Sequence, residues 1–259
     1  MTSQPVPQSI DRAALQAEVG RVIEAAAQVG APLRVLGSIG VAIHCPESAA
    51  LLPKFERTYL DIDVAAYRRD AKAIAAALAG LGYHDDREVY IASEGARSIF
   101  DDPGRRLHLD VFYDRLDFCH VIPLAERLEI DRPTIPLAEL LLSKLQIVKI
   151  NDKDVVDAIL LLLDHPLGTT DVATINIDRI AALTAADWGL WRTLSQNLDK
   201  VTALARSYPQ LTAGQRDHID AATRTVKDRM DAETKSMAWR MRARVGDRRQ
   251  WWTDVEEVR

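Results

Sequence analysis

Three aspartates and a small turn are the residues of this chain whose types and spacing fit a chemical reaction. Gly37 and Ser38 separate two apolar segments, and Asp61 and Asp63 stand two residues apart at the start of another apolar run. Asp110 lies in a later segment that alternates as a strand does. Carboxylates on neighbouring strands can bind the Mg²⁺ that offsets the charge of a nucleoside triphosphate. The set therefore predicts metal-dependent nucleotidyl transfer.

The predicted strands explain how these carboxylates would meet. Side chains alternate along a strand, so Asp61 and Asp63 share one face, and a neighbouring strand can place Asp110 beside them. Three carboxylates at one site repel one another, and one or two Mg²⁺ ions, or Mn²⁺ in their place, make the arrangement favourable. Gly37 lets the backbone approach a phosphate closely. Ser38 is predicted to cap the next helix, whose first N–H groups attract anions.

Each of these features also has an ordinary structural explanation. Acidic pairs are common on solvated strands, Gly-Ser sequences are common in turns, and a single aspartate such as Asp110 is often an exposed strand residue. Their order favours a site, because a strand, a Gly-Ser turn, a helix and two acidic strands follow one another along the chain.

Lys144 lies on a predicted helix over residues 134–150. Its neighbours three and four residues away are apolar, so its stem is predicted to lie on the buried face. An ammonium group buried without a partner is costly, which implies a carboxylate or a substrate phosphate beside it. Alternatively, Lys144 lies at the edge of this face and extends its charge to solvent.

The next predicted helix supplies a partner for this lysine. Asn151 is a good N-cap, and Asp154, at the third helical position, fits a capping role. Asp157 lies one turn later on the same face, which makes it the better candidate for pairing with Lys144 or with a substrate group. Arg57, upstream of the acidic pair, either contacts a triphosphate or anchors its own loop.

Several common classes of site are absent from the sequence. No Cys-x-x-Cys pair and no histidine cluster has the spacing of a zinc site. The chain also lacks the Gly-x-x-x-x-Gly-Lys loop of P-loop NTPases, the Gly-x-Gly-x-x-Gly turn of dinucleotide enzymes and the Gly-x-Ser-x-Gly elbow of α/β-hydrolases. These classes are therefore disfavoured, and His44, Cys45 and His120 are predicted to be structural.

Three stretches of the chain carry a resemblance to a known family. They are residues 35–44, residues 57–63, and the paired segments 142–146 and 153–157. These stretches resemble the nucleotidyltransferase superfamily with its polymerase-beta-like fold, and more narrowly its AbiEii/MenT toxin-type group. The 22 residues between the Gly-Ser turn and the D-x-D pair exceed the spacing of the compact superfamily motif, so residues 46–56 are predicted to loop out.

The resemblance implies roles for individual residues. In that family the D-x-D pair binds metal and the Gly-Ser turn holds the triphosphate, while a lysine and a late aspartate are required. The implied metal ligands are Asp61 and Asp63, and Asp110 is the third metal ligand predicted from the strand pattern. The implied nucleotide-binding residues are Gly37, Ser38, Arg57 and Lys144, and the late aspartate is Asp157. The resemblance further implies an NTP substrate, a tRNA acceptor and a cognate antitoxin as partner.

Composition sets broader limits. The 259 residues can form one large domain or two small ones. Two cysteines argue against a disulfide framework and suit a reducing cytoplasm, where we expect the protein to reside. The first residues lack the basic and apolar regions of a signal peptide, and the apolar run over residues 159–163 is far too short to span a membrane.

Charge is distributed unevenly along the chain. Residues 1–199 carry 20 basic and 29 acidic side chains, whereas residues 200–259 carry 13 basic and 9 acidic ones. Residues 235–249 contain six basic side chains and one acid. The tryptophans near these arginines are Trp239, Trp251 and Trp252. Such a tail could grip an RNA backbone and stack on its bases, and the same pattern fits an amphipathic helix whose basic face is simply solvated.

The predicted elements form an α/β (α+β) protein. Residues 1–10 are predicted to be a flexible tail, residues 11–166 a catalytic domain with a mixed sheet flanked by helices, and residues 167–259 a helical C-terminal domain. The predicted strands are 33–36, 60–66, 88–92, 97–100, 106–113 and 116–122, with 97–100 and 106–113 joined as a hairpin. Besides the helices already named, the predicted helices are 11–29, 69–81, 177–183, 185–208 and 213–245.

The working hypothesis is Mg²⁺-dependent transfer of a nucleoside monophosphate from an NTP to an acceptor, with tRNA suggested by the resemblance. Asp110 would complete the metal site and help to deprotonate the acceptor hydroxyl. Two alternatives stay open. One is a small-molecule nucleotidyltransferase of the antibiotic-modifying kind, and the other is a catalytically silent relative that acts as a binding protein.

Overall fold

A five-stranded mixed sheet organises the first half of the chain. Its strands are β1 (Leu33–Val35), β2 (Asp61–Ala66), β3 (His84–Asp86), β4 (Arg97–Asp102) and β5 (Leu107–Tyr113). They lie in the order β1-β2-β5-β4-β3, with β2 and β5 parallel and each other neighbouring pair antiparallel. The predicted mixed sheet with helices around it is confirmed.

The computed structural model describes residues 12–48, 51 and 61–254. The predicted flexible tail and the nucleotide-binding candidate Arg57 lie outside the described residues. Most of the predicted loop over residues 46–56 lies outside them as well, since only residues 46–48 and 51 of it are described.

Helices pack against this sheet and form the second half of the chain. They are α1 (Arg12–Gln28), α2 (Gly37–His44), α3 (Ala71–Gly80), α4 (Arg87–Ala92), α5 (Leu137–Leu145), α6 (Asp152–Asp164), α7 (Ile177–Ala186), α8 (Trp188–Ser207), α9 (Ala213–Ala232) and α10 (Met237–Val245). Two short pairs of strands lie outside the main sheet: β6 (Arg115–Asp117) with β7 (Val121–Pro123), and β8 (Leu167–Gly168) with β9 (Ile175–Asn176). Helix α2 contacts β2, α5 and α6, which brings these helices to the acidic strand.

The register of the two central strands sets the positions of the acidic residues. In the parallel pair β2–β5, Asp63 lies directly beside Asp110 and Asp61 beside His108. Residues in register on neighbouring strands point to the same face, and Asp61 shares that face with Asp63 because side chains alternate along a strand. The predicted convergence of three carboxylates on one face of the sheet is therefore confirmed at the level of the backbone.

The predicted strand over residues 88–92 is wrong, because this segment forms helix α4. Asp86 ends strand β3 and accepts a hydrogen bond from the backbone N–H of Glu88 at 3.1 Å, so it caps the helix. The residues of this segment have high β propensity, but the cap and the packing of α4 against β4 stabilise a helix instead. The predicted hairpin is confirmed, since β4 and β5 pair antiparallel around the turn that contains Pro103.

The predicted edge strand over residues 116–122 is also wrong. The chain reverses between Asp117 and Val121, and β6 and β7 form a small antiparallel sheet of their own. A backbone hydrogen bond from Phe118 N to His120 O, at 3.2 Å, lies in this reversal. The segment therefore turns back on itself and does not extend the main sheet.

Two predicted helices differ from the observed ones by more than their end residues. Helix α5 begins only after Pro136, because Thr134 pairs with Val35 as an isolated bridge. The predicted helix over residues 213–245 is divided into α9 and α10, and the division has a local cause. Ser236 caps α10 by accepting a hydrogen bond from Trp239 N at 3.1 Å.

One hydrophobic core connects the sheet with the later helices. Its buried side chains run from Leu15 on α1 to Met230 on α9, and α5 and α6 pack against α7, α8 and α9. The core is therefore continuous across the predicted boundary at residue 166. None of the helices in the described part of the chain is both long enough and apolar enough to cross a bilayer.

Candidate active site

A cleft of about 820 Å³ lies over the acidic face of the sheet. The predicted site residues that line it are Gly37, Asp61, Asp63, Asp110 and Lys144. Further lining residues come from the β4–β5 hairpin, the β6 strand, the α5–α6 connection and the C-terminal segment; they include Arg97, Phe112, Phe118, Val148, Trp252 and Asp254. A cleft of this size accommodates a nucleotide-sized ligand.

A carboxylate fills the space that a side chain at position 37 would occupy. Its φ is +63°, and a Cβ atom at this position would lie 2.2 Å from Asp63 Oδ2. The backbone on either side is tied to the same strand, since Leu36 N donates a hydrogen bond to Asp63 O at 2.9 Å. A glycine is therefore required here both for its conformation and for the close approach of Asp63.

The predicted capping role of Ser38 is wrong. The first hydrogen bond of α2 runs from Gly40 N to Leu36 O, so Leu36 is the N-cap residue and Ser38 lies within the first turn. The Leu36 cap involves no side-chain hydrogen bond. Ser38 is half-buried and does not line the cleft, whereas Gly37 does.

The surroundings of Asp63 disfavour its negative charge. Burial, together with the neighbouring charge of Asp110, raises the pKa of Asp63 from its ordinary value of 3.8 to about 6. The positive charges of Lys144 and Arg97 lower this pKa, but they do not compensate fully. A further cation at this position would therefore stabilise the ionised carboxylate.

Asp110 is buried and is held by an arginine that sequence reasoning missed. Arg97 Nε lies 2.7 Å and 2.9 Å from the two carboxylate oxygens of Asp110, and Arg97 Nη2 donates to Oδ2. This pairing raises the pKa of Arg97. The hairpin register places Arg97 opposite Phe112, diagonal to Asp110, so the predicted hairpin contained the signal that could have found it.

Lys144 is buried between two carboxylates of α6. Its Nζ lies 2.9 Å from Asp154 Oδ1 and 3.0 Å from Asp157 Oδ2. The predicted partner Asp157 is confirmed as a contact and is itself buried beneath the cleft surface. Asp154 was predicted only to serve the helix terminus. Its N–H does bond to the Asn151 cap at 3.0 Å, but its carboxylate also faces the lysine and lines the cleft.

The donor set of the cleft suits a hard cation, but its carboxylates do not converge on one point. Among the described residues, no three His, Cys, Asp or Glu side chains are arranged to hold a metal ion together. Asp110 faces Arg97, which leaves Asp61 and Asp63 as the adjacent pair on β2. Two carboxylates together with substrate phosphates form a common environment for Mg²⁺.

The C-terminal segment reaches the cleft, which the sequence did not predict. Trp252 and Asp254 line the cleft, and Thr253 N donates a hydrogen bond to Cys119 O at 3.1 Å. The other tail tryptophans are used in packing. Trp239 donates its indole N–H to Thr184 O at 3.0 Å, and Trp251 donates its own to a buried threonine of α8.

The histidines predicted to be structural make contacts within the protein. His120 is buried, and its Nε2 lies 2.8 Å from Thr193 Oγ1. His44 is half-buried, and its Nε2 contacts Thr134 and lies 3.2 Å from Asp131 Oδ2. These histidines do not line the cleft.

Comparison with protein-family models and with curated proteins finds no match to this chain. The function of the cleft is therefore inferred from its own residues and their geometry.

Proposed function

We propose that this protein is a Mg²⁺-dependent nucleotidyltransferase with a nucleotidyltransferase-like fold, which moves a nucleoside monophosphate from an NTP to an acceptor hydroxyl. One observation carries the proposal: Gly37 is in a left-handed conformation directly against Asp63, on an acidic strand in register with Asp110. A helix start that lines the cleft beside adjacent carboxylates suits a metal-bound triphosphate.

Asp61 and Asp63 would hold the metal. The raised pKa of Asp63 supports this assignment, because a carboxylate that resists ionisation gains most from a cation. When bound, Mg²⁺ would supply charge neutralisation for the triphosphate. Asp110 would join the pair once Arg97 is drawn away from it, and the phosphate oxygens of the substrate offer Arg97 an alternative partner.

Lys144 and the start of α2 would orient the triphosphate. The lysine ammonium lies in the cleft wall with a fixed position between Asp154 and Asp157, so a phosphate would meet a charge that is already oriented. The first N–H groups of α2 follow Gly37 and attract anions.

The transfer step needs a group that accepts a proton. The acceptor oxygen attacks the α-phosphorus, the bond from this phosphorus to the bridging oxygen of pyrophosphate breaks, and pyrophosphate leaves. Asp110 takes the proton of the acceptor hydroxyl. Its buried position in register with Asp63 supports this role, since the two carboxylates face the same part of the cleft.

An RNA acceptor is supported by exposed arginines at the C-terminus. Arg240 and Arg244 on α10 and Arg248 after it are all exposed. These side chains can bind phosphates without any change of the fold. Deleting residues 235–259 would not test this point cleanly, because the deletion would also remove Trp252 from the cleft. Replacing the three arginines by glutamine leaves the cleft intact, and we expect it to weaken RNA binding while NTP binding is retained.

The proposal is tested by incubating the protein with Mg²⁺, total RNA and each of four α-³²P-labelled NTPs in turn. We expect label in a discrete RNA band for one base. Asp63→Asn should lower the rate by about 10²–10³-fold, the usual effect of removing one charge-stabilising group. Asp101→Asn, on the neighbouring hairpin and outside the cleft, is the matched control and should transfer label normally. An Asp63→Asn protein with the normal rate would exclude the assignment.

The contact between Arg97 and Asp110 favours one alternative, a silent binding protein. In this case the arginine serves as a permanent substitute for a metal. NTP binding that does not respond to Mg²⁺, together with the absence of labelled product from RNA and from small-molecule acceptors, would support this alternative.

A further inference from the structure

The C-terminal segment after α10 follows a defined path back to the cleft. Arg242 holds its first turn by donating to Gly246 O and to Arg249 O, each at 2.8 Å. Trp251 then packs edge-on against Trp188, and its indole N–H bonds to Thr193 Oγ1 at 3.0 Å. These contacts anchor the chain immediately before residue 252.

A glycine of α8 makes room for this path. A Cβ atom at Gly189 would lie 2.6 Å from the carbonyl oxygen of Trp251. On the other side of residue 252, Thr253 N donates to Cys119 O at 3.1 Å. The backbone is therefore held on both sides of Trp252, so the position of its side chain at the cleft is built into the fold.

Trp252 differs from the neighbouring tryptophan in what it contacts. Trp251 gives its N–H to the helical part of the protein, whereas Trp252 gives its N–H to Asp254, which also lines the cleft, at 3.1 Å. Trp252 packs edge-on to Trp251, with ring centroids 4.8 Å apart, and stays partly exposed. A large aromatic side chain that is held in place but not buried has area available for a ligand.

Other aromatic rings line the same cleft. Phe112 and Phe118 are in edge-to-face contact, with centroids 5.1 Å apart, and both line the cleft. The cleft therefore combines an acidic floor at Asp61 and Asp63 with aromatic groups elsewhere in its wall. A nucleotide has this same division, since its phosphates need charge and metal while its base needs a flat apolar surface.

We propose that Trp252 stacks on a nucleobase bound in the cleft, and that the C-terminal segment thus supplies a base-binding residue of the site. The inference rests on the proposed function, because phosphates bound at the acidic floor of the cleft would leave the base to lie against its aromatic wall. The base belongs either to the incoming NTP or to a nucleotide of the acceptor, and the chemistry of stacking is the same for both.

The test compares ligands with and without a base. Binding of each NTP and of inorganic triphosphate is measured by calorimetry with Mg²⁺, for the full-length protein and for Trp252→Ala. Stacking on one base contributes an amount that corresponds to about 5- to 150-fold in affinity. We expect the variant to bind the NTP weaker by this factor and to bind inorganic triphosphate as the wild type does.

Two further variants separate the contribution of aromatic stacking to affinity from that of side-chain volume. Trp252→Phe keeps an aromatic face and should retain most of the affinity, whereas Trp252→Leu keeps only apolar volume and should behave as the alanine variant does. Trp191→Phe is the matched control, because Trp191 also packs edge-on against a tryptophan, Trp239, but does not line the cleft. It should bind every ligand normally.

A second arm identifies the source of the base. If NTP binding is unchanged in Trp252→Ala but binding of a single-stranded oligoribonucleotide falls by the same factor, Trp252 stacks on the acceptor. Unchanged binding in both arms, or an equal loss for the NTP and for inorganic triphosphate, would overturn the proposal. Failure of the proposed function has a different signature, since the wild type itself would then bind neither NTP nor triphosphate in a Mg²⁺-dependent way.

Discussion

Two groups of acidic side chains in this molecule differ in how their charge is balanced. Glu139 on α5 is fully buried and accepts hydrogen bonds from Arg127 and Arg179 at distances of 2.7 to 3.0 Å. Arg127 also binds Asp171, and this hydrogen bonding lowers the pKa of Asp171. Two arginines therefore face two carboxylates, and the negative charges of this group are matched by positive ones.

In the cleft, by contrast, the acidic side chains are not fully matched by positive charge. Asp61, Asp63 and Asp110 share one face of the sheet, where Arg97 pairs with Asp110, and the pKa of Asp63 rises to about 6. Lys144 adds a positive charge, but it lies between two acids of α6. The balanced group serves the fold, whereas an excess of acids in a cleft is retained where a cationic ligand is expected.

The balanced group can be broken by removing the charge of Glu139. Glu139→Gln removes the fully buried carboxylate that pairs with Arg127 and Arg179, and breaking a buried ion pair in this way costs about 3–5 kcal/mol. We expect a lower urea midpoint with an unchanged slope. Glu24→Gln, which removes an exposed ion pair with Arg132, is the control and should cost less than about 1 kcal/mol. Equal small losses in both variants would show that the buried network does not stabilise the fold.

The unbalanced group should respond to neutralisation in the opposite direction. An acid whose pKa is raised on folding favours the folded state while it is protonated, and this advantage is lost as the pH rises from 3.8 to about 6. Asp63→Asn should therefore stabilise the protein at pH 8 without metal, by up to about 3 kcal/mol, and the gain should vanish near pH 4. Urea unfolding across this range measures it, with Asp101→Asn as control. A gain that does not depend on pH would contradict this explanation.

Removing Arg97 should increase the difference between the two acidic groups, because the cleft loses a positive charge. Arg97→Gln leaves buried Asp110 without its bidentate partner, at a cost of about 1–3 kcal/mol. The loss should be larger at pH 8 than at pH 5, because Arg97 also lowers the pKa of Asp63. The double variant Arg97→Gln/Asp110→Asn should recover most of the loss. If the changes in the free energy of unfolding for the two substitutions simply add, Arg97 and Asp110 are not energetically coupled.

Local sequence patterns predicted the parts of the site that lie within one or two neighbouring elements. The strand period placed Asp61 and Asp63 on one face, and the turn at Pro103 joined β4 to β5. The helical period and the Asn151 cap placed Asp157 where it could meet Lys144. Local preference was insufficient at residues 88–92, where the Asp86 cap and packing on β4 produced a helix from β-forming residues.

Contacts between distant segments were not predictable in the same way. Trp252 reaches the cleft only because α10 ends, the chain turns back, and Gly189 and Cys119 receive it from other elements. Nothing in the spacing of the tail residues encodes that path. The sequence therefore predicts either a surface for RNA or a solvated basic helix, whereas the last described residues of the tail belong in part to the cleft.

The sequence by itself determined which residues share a face of a strand or helix, because side-chain direction repeats with the period of the element. That was enough to place the acidic pair on one face of β2 and to identify Asp157 as a partner for Lys144. The tertiary structure alone decided how the charges of the cleft are balanced, through Arg97, and which aromatic side chain completes it, through Trp252. The positions of Arg97 and Trp252 depend on how separate elements pack against one another, and that packing depends on the whole core.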